Sequence, residues 1–219
     1  MRNKLLLETA KAINSVKLPH PVRVGIDGVS ASGKTRFADD LVEPLRKFGR
    51  HVIRASLDGF HNSPDIRYQQ GEHSSKGYVE DSFNYEAVVD NVLDPLGPKG
   101  QLKYKSSLFD FAVNKKTDIP YKSAMKDSIL IFEGVLLFCN ELNHRWDYKI
   151  FIDASFETII NRAMTRDNER LGGNDKLLNK YYKRYIPGQK AYLKKYKPHK
   201  HANIVVNNNN YHKPYIAEK

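Results

Sequence analysis

The stretch Gly28-Val29-Ser30-Ala31-Ser32-Gly33-Lys34-Thr35 decides the fold. It fits the pattern G-x-x-x-x-G-K-[ST], whose glycines let the backbone turn tightly, so that successive N–H groups point at phosphate oxygens. The lysine of this pattern reaches the β- and γ-phosphates of a nucleotide, and the Ser/Thr hydroxyl binds Mg²⁺. The stretch therefore predicts a site for ATP or another NTP with Mg²⁺, with Thr35 as a metal ligand. The predicted nucleotide-binding residues are Gly28, Ser30, Ala31, Ser32, Gly33, Lys34 and Thr35.

The segments on either side of this loop have the pattern of a strand and a helix. The β-rich run Pro21–Asp27 precedes the loop, and Phe37, Leu41 and Leu45 recur at helical spacing within residues 34–48 after it. The positive N-terminal end of that helix would face the same phosphates. A strand, a glycine-rich loop and a helix form the opening unit of a parallel α/β sheet.

The rest of the chain continues this alternation. Further strands are predicted at 51–57, 128–132, 148–152 and 203–206, and helices at 3–16, 85–96, 157–170 and 176–196. Less regular segments are a long polar loop at 58–82, a short hairpin within 101–112 and a frayed tail at 207–210. We therefore predict an α/β P-loop NTPase fold with a doubly wound, mainly parallel sheet flanked by helices, forming one domain over residues 1–219.

The composition is that of a soluble globular protein, with 40% hydrophobic and 28% charged residues. No apolar run is long enough to cross a bilayer, and Cys139 is the only cysteine, so we expect a cytoplasmic protein without membrane contact. The net charge of +11 raises the question of nucleic-acid binding. We expect none, because residues 161–200 carry 12 Lys and Arg against three acids without forming a recognised nucleic-acid module. A basic face also suits a polyanionic nucleotide.

Two carboxylates end strands at the edge of the sheet where ligands bind. Asp58 follows the second predicted strand, and Glu133 ends the strand Ile129–Phe132. One would hold Mg²⁺ and the other would accept a proton from an attacking hydroxyl, and the residues alone do not assign the two roles. Each acid could instead cap the turn that follows it.

A row of arginines predicts a lid over the phosphates. Arg162, Arg166 and Arg170 share one helix face, and Gly172-Gly173 then interrupts the helix. We predict a lid over about 166–180, with Arg162 binding the nucleotide and Arg166 and Arg170 stabilising charge during transfer alongside Lys34. A solvated helix face is the alternative.

Aromatic and polar residues in two segments predict a site for an acceptor molecule, with a loop at about 58–84 as its main part. The predicted acceptor-binding residues are His61, Tyr68, Asp81, Phe109, Phe111, Asn114 and Arg166. Arg67, Tyr78, Phe83 and Asn84 lie in or just after the same loop. An aromatic slot with polar ends would suit a nucleobase and ribose, although Phe109 and Phe111 could be core residues instead.

Several motifs together resemble the uridine kinase and phosphoribulokinase group of P-loop kinases. Besides the P-loop, the segments that resemble this group are Ser56–Phe60, Phe109–Phe111, Ile131–Gly134, Arg162–Arg170, Tyr181, Pro187 and Pro198–Val205. The resemblance extends over roughly residues 22–206. It implies that Asp58 is the catalytic base, that Glu133 is the acid near Mg²⁺ and that the arginines belong to a lid.

The chain also departs from the uridine kinase pattern. Asn114 stands where that group tends to have a histidine, and Phe109 replaces its tyrosine. Gly172–Asn174 stands where a second lid arginine is expected, and Glu80–Asn84 replaces the Asp-His-Pro motif that binds ribose. The Asp-Gly-Phe triplet at Asp58 and the Ser-Phe-Asn run at Ser82 look closer to bacterial pantothenate kinase.

Three functional hypotheses follow. The first is an ATP-dependent kinase that phosphorylates the 5′-hydroxyl of a nucleoside such as uridine or cytidine. The second is a kinase of another small metabolite, such as pantothenate or a sugar. The third is a nucleotide-binding regulatory protein without turnover, although Asn114–Asp118 is out of register with the guanine motif of GTPases. A homo-oligomer is compatible with each of them.

Overall fold

The computed structural model describes residues 2–167, 169 and 171–218. Its strands are β1 (Val22–Gly28), β2 (Val52–Ser56), β3 (Lys103–Tyr104), β4 (Phe109–Asp110), β5 (Lys115–Lys116), β6 (Lys122–Ser123), β7 (Ile129–Glu133), β8 (Tyr148–Asp153), β9 (Ile204–Asn207) and β10 (Tyr215–Glu218). Its α-helices are α1 (Arg2–Ser15), α2 (Lys34–Arg46), α3 (Pro64–Arg67), α4 (Ser75–Asp81), α5 (Tyr85–Val88), α6 (Phe156–Arg166), α7 (Asn174–Lys180) and α8 (Ile186–Tyr196). Short 3₁₀ turns lie at Leu57–Phe60, Asn143–Arg145 and Pro198–His201, and π-helical turns follow α5 at Val89–Leu93 and α7 at Tyr181–Tyr185.

The central sheet has six strands in the order β10-β9-β8-β1-β7-β2. The strand that leads into the P-loop, β1, lies in the middle and pairs in parallel with β7 on one side and β8 on the other. The pairs β2–β7 and β8–β9 are also parallel, whereas β10 runs antiparallel to β9. The predicted mainly parallel α/β sheet of a P-loop NTPase is confirmed.

Apolar layers cover both faces of the sheet, as a doubly wound fold requires. Alternate residues of β7 separate into two clusters: Ile129 and Ile131 pack with α1 and α2, whereas Leu130 and Phe132 pack with the residues that follow β2 and β7. Because both faces are buried, all five residues of β7 are buried. This explains why β7 is a continuous apolar run in the sequence.

The predicted long loop at 58–82 is largely helical, so that prediction was wrong in part. It contains the turn after β2 and the helices α3 and α4. Pro64 starts α3, and the Ser74 side chain accepts a hydrogen bond from the Gly77 N–H at the start of α4. Helices of four and seven residues are too short to show a clear apolar period, which is why the polar composition suggested a loop.

The predicted frayed tail at 207–210 is also wrong. Asn208 is buried, and β10 continues the sheet beyond it. The polar composition was misleading because the buried Asn208 side-chain nitrogen donates a hydrogen bond to the Ser32 carbonyl rather than to water.

Other boundaries differ from the predictions in smaller ways. The short strands near 101–112 do not pair with one another; β3 pairs with β6 and β4 with β5, in two small antiparallel ladders. The helix predicted over 157–170 ends at Arg166, and Arg170 lies outside the described residues. No described helix combines the length and the apolar character needed to cross a membrane.

Candidate active site

The P-loop joins β1 to α2 along a path that requires its glycines. A Cβ on Gly28 would lie 2.4 Å from the Ile152 carbonyl oxygen of the neighbouring strand β8. Gly33 has a φ of 97°, and a Cβ there would lie 2.5 Å from the Asn208 side-chain nitrogen. Either substitution would displace neighbouring atoms, so the loop can follow this path only with glycine at these two positions.

Three side chains from distant parts of the chain fix the P-loop backbone. The Ser32 carbonyl accepts hydrogen bonds from the Asn208 amide at 2.6 Å and from the Arg162 guanidinium at 3.2 Å. The Ser30 N–H donates to the Gln189 side chain on α8 at 2.7 Å. The sequence predicted Arg162 here as a nucleotide-binding residue but gave no signal for Asn208 or Gln189.

We predict that Asn208→Ala lowers the free energy of unfolding by about 1–3 kcal/mol, since it removes a hydrogen bond to a buried carbonyl. Urea unfolding without nucleotide measures this change. Asn3→Ala is the control, because Asn3 is exposed on α1. Equal stability of the two variants would show that Asn208 does not brace the loop.

Lys34 is buried at the start of α2 and surrounded by opposite charge. Burial lowers its pKa, while the nearby carboxylates of Glu133, Asp27 and Asp58 act in the opposite direction. Its ammonium group donates to the Val29 carbonyl at 2.9 Å. The lysine is therefore held within the loop, beside the N–H groups that would face phosphate.

Asp27, just before the loop, is a second buried charge. Burial raises the pKa of its carboxyl group, and hydrogen bonds from the Tyr192 hydroxyl and the Gly28 N–H oppose that shift. The bond to the Gly28 N–H is 2.7 Å long. Through this bond Asp27 holds the first residue of the P-loop, Gly28, in place.

A cavity opens beside the P-loop, and we call it the Asp58 cavity. It is lined by Ser30, Ala31, Lys34, Thr35, Asp58, His61, Arg67, Tyr68, Tyr78, Ser82, Phe83, Phe111, Glu133, Gly134, Val135, Arg166, Asp167, Tyr181, Arg184 and Tyr185. It brings together the two strand-end acids, the P-loop lysine and threonine, and part of the predicted acceptor site.

The two acids come from neighbouring strands. Glu133 ends β7 opposite Ser56 of β2, and Asp58 lies on the turn that directly follows β2. The Glu133 residue is only 5% exposed, whereas the Asp58 side chain is 68% exposed. Glu133 is thus a fixed buried carboxylate beside Lys34, and Asp58 is accessible to a molecule entering the cavity.

His61 lies between two phenyl rings beside Asp58. Its ring stacks on Phe83 and on Phe111, each at 4.5 Å between centroids. One ring nitrogen lies 3.1 Å from the Ser82 carbonyl oxygen, which only an N–H can bond, and the other lies 3.6 Å from the Asp58 carboxylate. The His61 side chain therefore occupies the space between these two rings, and the aromatic slot for an acceptor stays a prediction.

The predicted acceptor residues separate into two groups. Tyr68, like His61 and Phe111, lines the Asp58 cavity. Asp81, Phe109 and Asn114 do not line it. Asp81 accepts a hydrogen bond from the Gln70 side chain at 2.8 Å, Phe109 is buried, and Asn114 accepts one from Arg67.

The arginines predicted in the lid have different surroundings. Arg166 lines the cavity and forms two hydrogen bonds with the Asp167 carboxylate, at 2.9 and 2.7 Å. The Tyr181 hydroxyl donates to the same carboxylate at 3.2 Å. The predicted roles of Arg166 and Arg170 in catalysis stay predictions, and Arg170 lies outside the described residues.

A second opening, the Arg162 cleft, continues from the other side of the P-loop. It has a volume of about 690 Å³ and is lined by Ala31, Gly33, Lys34, Thr35, Arg36, Asp39, Asn161, Arg162, Thr165, Arg166 and Tyr211. It shares the P-loop residues and Arg166 with the Asp58 cavity. The loop could therefore hold phosphates between a nucleotide in the cleft and a second molecule in the cavity.

The oxygen groups near the P-loop fit a magnesium ion. Among the described residues, no three His, Cys, Asp or Glu side chains come together as a metal site on their own. Mg²⁺ does not need one, since it usually keeps several waters and binds one or two carboxylates together with substrate phosphates. The Thr35 hydroxyl and the carboxylates of Glu133 and Asp58 line the Asp58 cavity and are hard oxygen groups of the kind that Mg²⁺ binds.

Known proteins resemble this chain in sequence and in fold. The sequence model of the Phosphoribulokinase / Uridine kinase family matches residues 23–212. Uridine-cytidine kinase 2-B of Danio rerio is 26% identical over 182 residues, covering 78% of this chain and 67% of its own length. Uridine kinase of Staphylococcus aureus (strain JH9) is 24% identical over 186 residues, covering 84% and 86%. The structure of a possible uridine kinase from Bacillus stearothermophilus superimposes with a TM-score of 0.74 at 21% identity, covering 94% of this chain and 99% of that one.

Proposed function

Because the chain belongs to the phosphoribulokinase and uridine kinase family, we propose that it is an ATP-dependent kinase that transfers the γ-phosphoryl group to the hydroxyl of a small molecule. One observation supports this most: Lys34 and Thr35 of the P-loop line the same cavity as the two strand-end acids, Asp58 and Glu133. Such an arrangement supports a phosphate site with a proton acceptor beside it.

In the proposed reaction, the acceptor hydroxyl loses its proton to Asp58 as its oxygen forms a bond to the γ-phosphorus. The bond between the γ-phosphorus and the bridging oxygen breaks, and ADP leaves with that oxygen. Lys34 and the loop N–H groups stabilise the charge on the phosphates, and Arg166 adds positive charge from α6. Thr35 and Glu133 would hold Mg²⁺, which would supply further neutralisation of the charge on the phosphates.

The first acceptor class we propose is a nucleoside, with the 5′-hydroxyl of uridine or cytidine as the target. Uridine kinases and uridine-cytidine kinases among the relatives support it. The test is incubation with γ-labelled ATP and a panel of nucleosides, followed by separation of the labelled products. Label in a nucleoside monophosphate is the expected result, and label only in another alcohol would reject the nucleoside but keep the kinase.

A second acceptor class is another small metabolite, such as pantothenate or a sugar. One observation favours it: the His61 ring occupies the space between Phe83 and Phe111 where a nucleobase would be expected to stack. A small polar alcohol would not need to displace this ring. Pantothenate and simple sugars therefore belong in the same panel as the nucleosides.

We predict that Glu133→Gln raises the Mg²⁺ concentration needed for half-maximal rate by roughly 10-fold or more, because a neutral amide attracts the ion less than a carboxylate. A Mg²⁺ titration of ADP release at saturating ATP measures the shift. Glu8→Gln on α1 is the matched control, since Glu8 is exposed and lines neither the Asp58 cavity nor the Arg162 cleft. An unchanged Mg²⁺ requirement in Glu133→Gln would remove Glu133 from the metal site.

A further inference from the structure

Arg67 is the feature of the Asp58 cavity that the proposed reaction leaves unused. It ends helix α3, is only 5% exposed and lines the cavity. Its guanidinium donates to the Asn114 side-chain oxygen and lies over the rings of Tyr68, Phe109 and Phe111 at 5.4–5.6 Å. The aromatic rings fix its position from several sides.

Among the described residues, no carboxylate lies within salt-bridge distance of the Arg67 guanidinium. Its buried Nε has no hydrogen-bond partner among them either. Burying a cation without an anion is costly, so buried charges in proteins are usually paired. An anion bound in the cavity would remove this cost.

The other cations of the cavity are already engaged. Arg166 is paired with Asp167 through two hydrogen bonds. Arg184 donates to the backbone carbonyls of Gly71, Ser74 and Arg67 and so holds the loop between α3 and α4. Lys34 belongs to the P-loop and faces three carboxylates. Arg67 differs from all three because, in the part of the chain that the structure describes, its guanidinium pairs with neither an acid nor a set of backbone carbonyls.

The surroundings of Tyr68 add to the positive field. Three cations lie around its ring: Arg67 at 5.6 Å, Lys180 at 5.2 Å and Arg184 at 5.0 Å from the ring centroid. Glu72 lies 3.9 Å from Lys180 and its side chain is 66% exposed, so water screens this acid. This end of the cavity therefore attracts negative charge.

We propose that Arg67 binds an anionic group of the acceptor, a carboxylate or a phosphate, so that the substrate is an alcohol carrying a negative charge rather than a neutral nucleoside. The inference rests on the kinase activity proposed above and selects between its acceptor classes. Arginine suits this task because its planar fork of N–H donors matches carboxylate and phosphate oxygens. The acceptor would place its hydroxyl at Asp58 and its anion at Arg67.

The test compares alcohols that share a carbon skeleton but differ in charge. Acceptor-dependent ADP release is measured with glycerol, D-glycerate and glycerol 3-phosphate, with pantothenol and pantothenate, and with uridine and cytidine. A higher kcat/KM for charged members than for their neutral partners is expected. Comparing kcat/KM for D-glycerate with that for glycerol 3-phosphate shows whether the site prefers a carboxylate or a phosphate.

Variants then connect the preference to Arg67. We expect Arg67→Gln to lower kcat/KM for the charged acceptor by roughly 10–100-fold, mainly through KM, and to leave the KM for ATP unchanged. Arg67→Lys keeps the charge and should restore part of the loss, which a purely structural defect would not allow. Arg46→Gln, at an exposed position on α2, is the matched control.

The outcomes distinguish failure of the inference about Arg67 from failure of the proposed kinase function. Turnover of uridine or cytidine with no preference for charged alcohols would overturn the inference and keep the kinase. An equal loss for charged and neutral acceptors in Arg67→Gln would also overturn it. ADP release with none of the acceptors would reject the proposed function, and the inference with it.

Discussion

Lys34→Ala is expected to lower the rate of phosphoryl transfer by at least about 10²–10³-fold, the loss typical of removing one group that stabilises transition-state charge. Lys34 is the buried cation of the P-loop, and it lies among loop N–H groups rather than in water. In such a site the positive charge interacts more strongly with the phosphates than it would in water, because little solvent screens it. Initial rates of ADP release at saturating ATP and acceptor measure the effect.

The control for Lys34→Ala is Lys47→Ala, which removes the same side chain from an exposed position just after α2. It should keep the wild-type rate. Removing Lys34 also removes a buried charge beside Asp27 and Glu133, so thermal unfolding of the variant is recorded to show that it is folded. A folded Lys34→Ala protein with near wild-type turnover would mean that this loop does not hold the transferred phosphate.

Asp58→Asn is expected to lower the transfer rate by about 10²–10⁴-fold, the usual contribution of a general base, while ATP binding stays nearly unchanged. The amide has the shape of the carboxylate but cannot take the proton of the acceptor hydroxyl. Since the Asp58 side chain is largely exposed, the substitution should also cost little stability. Single-turnover transfer and equilibrium ATP binding separate the two effects.

Asp65→Asn is the matched control for Asp58→Asn, because Asp65 is exposed on α3 and does not line the cavity. It should behave like the wild type. If Asp58→Asn retained normal turnover, Asp58 would not be the base. If it lost ATP binding together with turnover, Asp58 would act in nucleotide binding.

The sequence predicted the fold well where local patterns determine it. The P-loop stretch fixes a strand, a turn and a helix in order, and the buried strands β7 and β8 are apolar runs that end in acids. Because parallel strands end at one edge of the sheet, the position of Asp58 and Glu133 near the P-loop followed from the strand assignments alone. The cavity that they share is the outcome of that topology.

Contacts between distant segments could not be predicted from the sequence. Asn208 lies 176 residues from Ser32, and Gln189 lies 159 residues from Ser30, yet both bond the P-loop backbone. An asparagine-rich tract looks the same in a sequence whether its amides bond water or a buried carbonyl. The tail was therefore predicted to be frayed although it braces the loop.

The contacts within the acceptor site could not be predicted from the sequence either. The sequence indicated that His61 and Phe111 belong to one site, but not that the histidine would lie between two phenyl rings. It also placed Arg67 in the acceptor loop without distinguishing it from other surface charges. The structure distinguishes Arg67 from those charges, because its side chain is buried and forms no salt bridge with any described residue.

The most direct test of the account follows the γ-phosphoryl group itself. Wild-type protein is incubated with Mg²⁺, γ-labelled ATP and the full set of nucleosides, sugars, hydroxy acids and phosphorylated alcohols, and the small-molecule products are separated. The account predicts label esterified to one alcohol by the wild type and at most a trace with Asp58→Asn. Tight binding of ATP with no label in any alcohol would contradict it and would identify a nucleotide-binding regulatory protein instead.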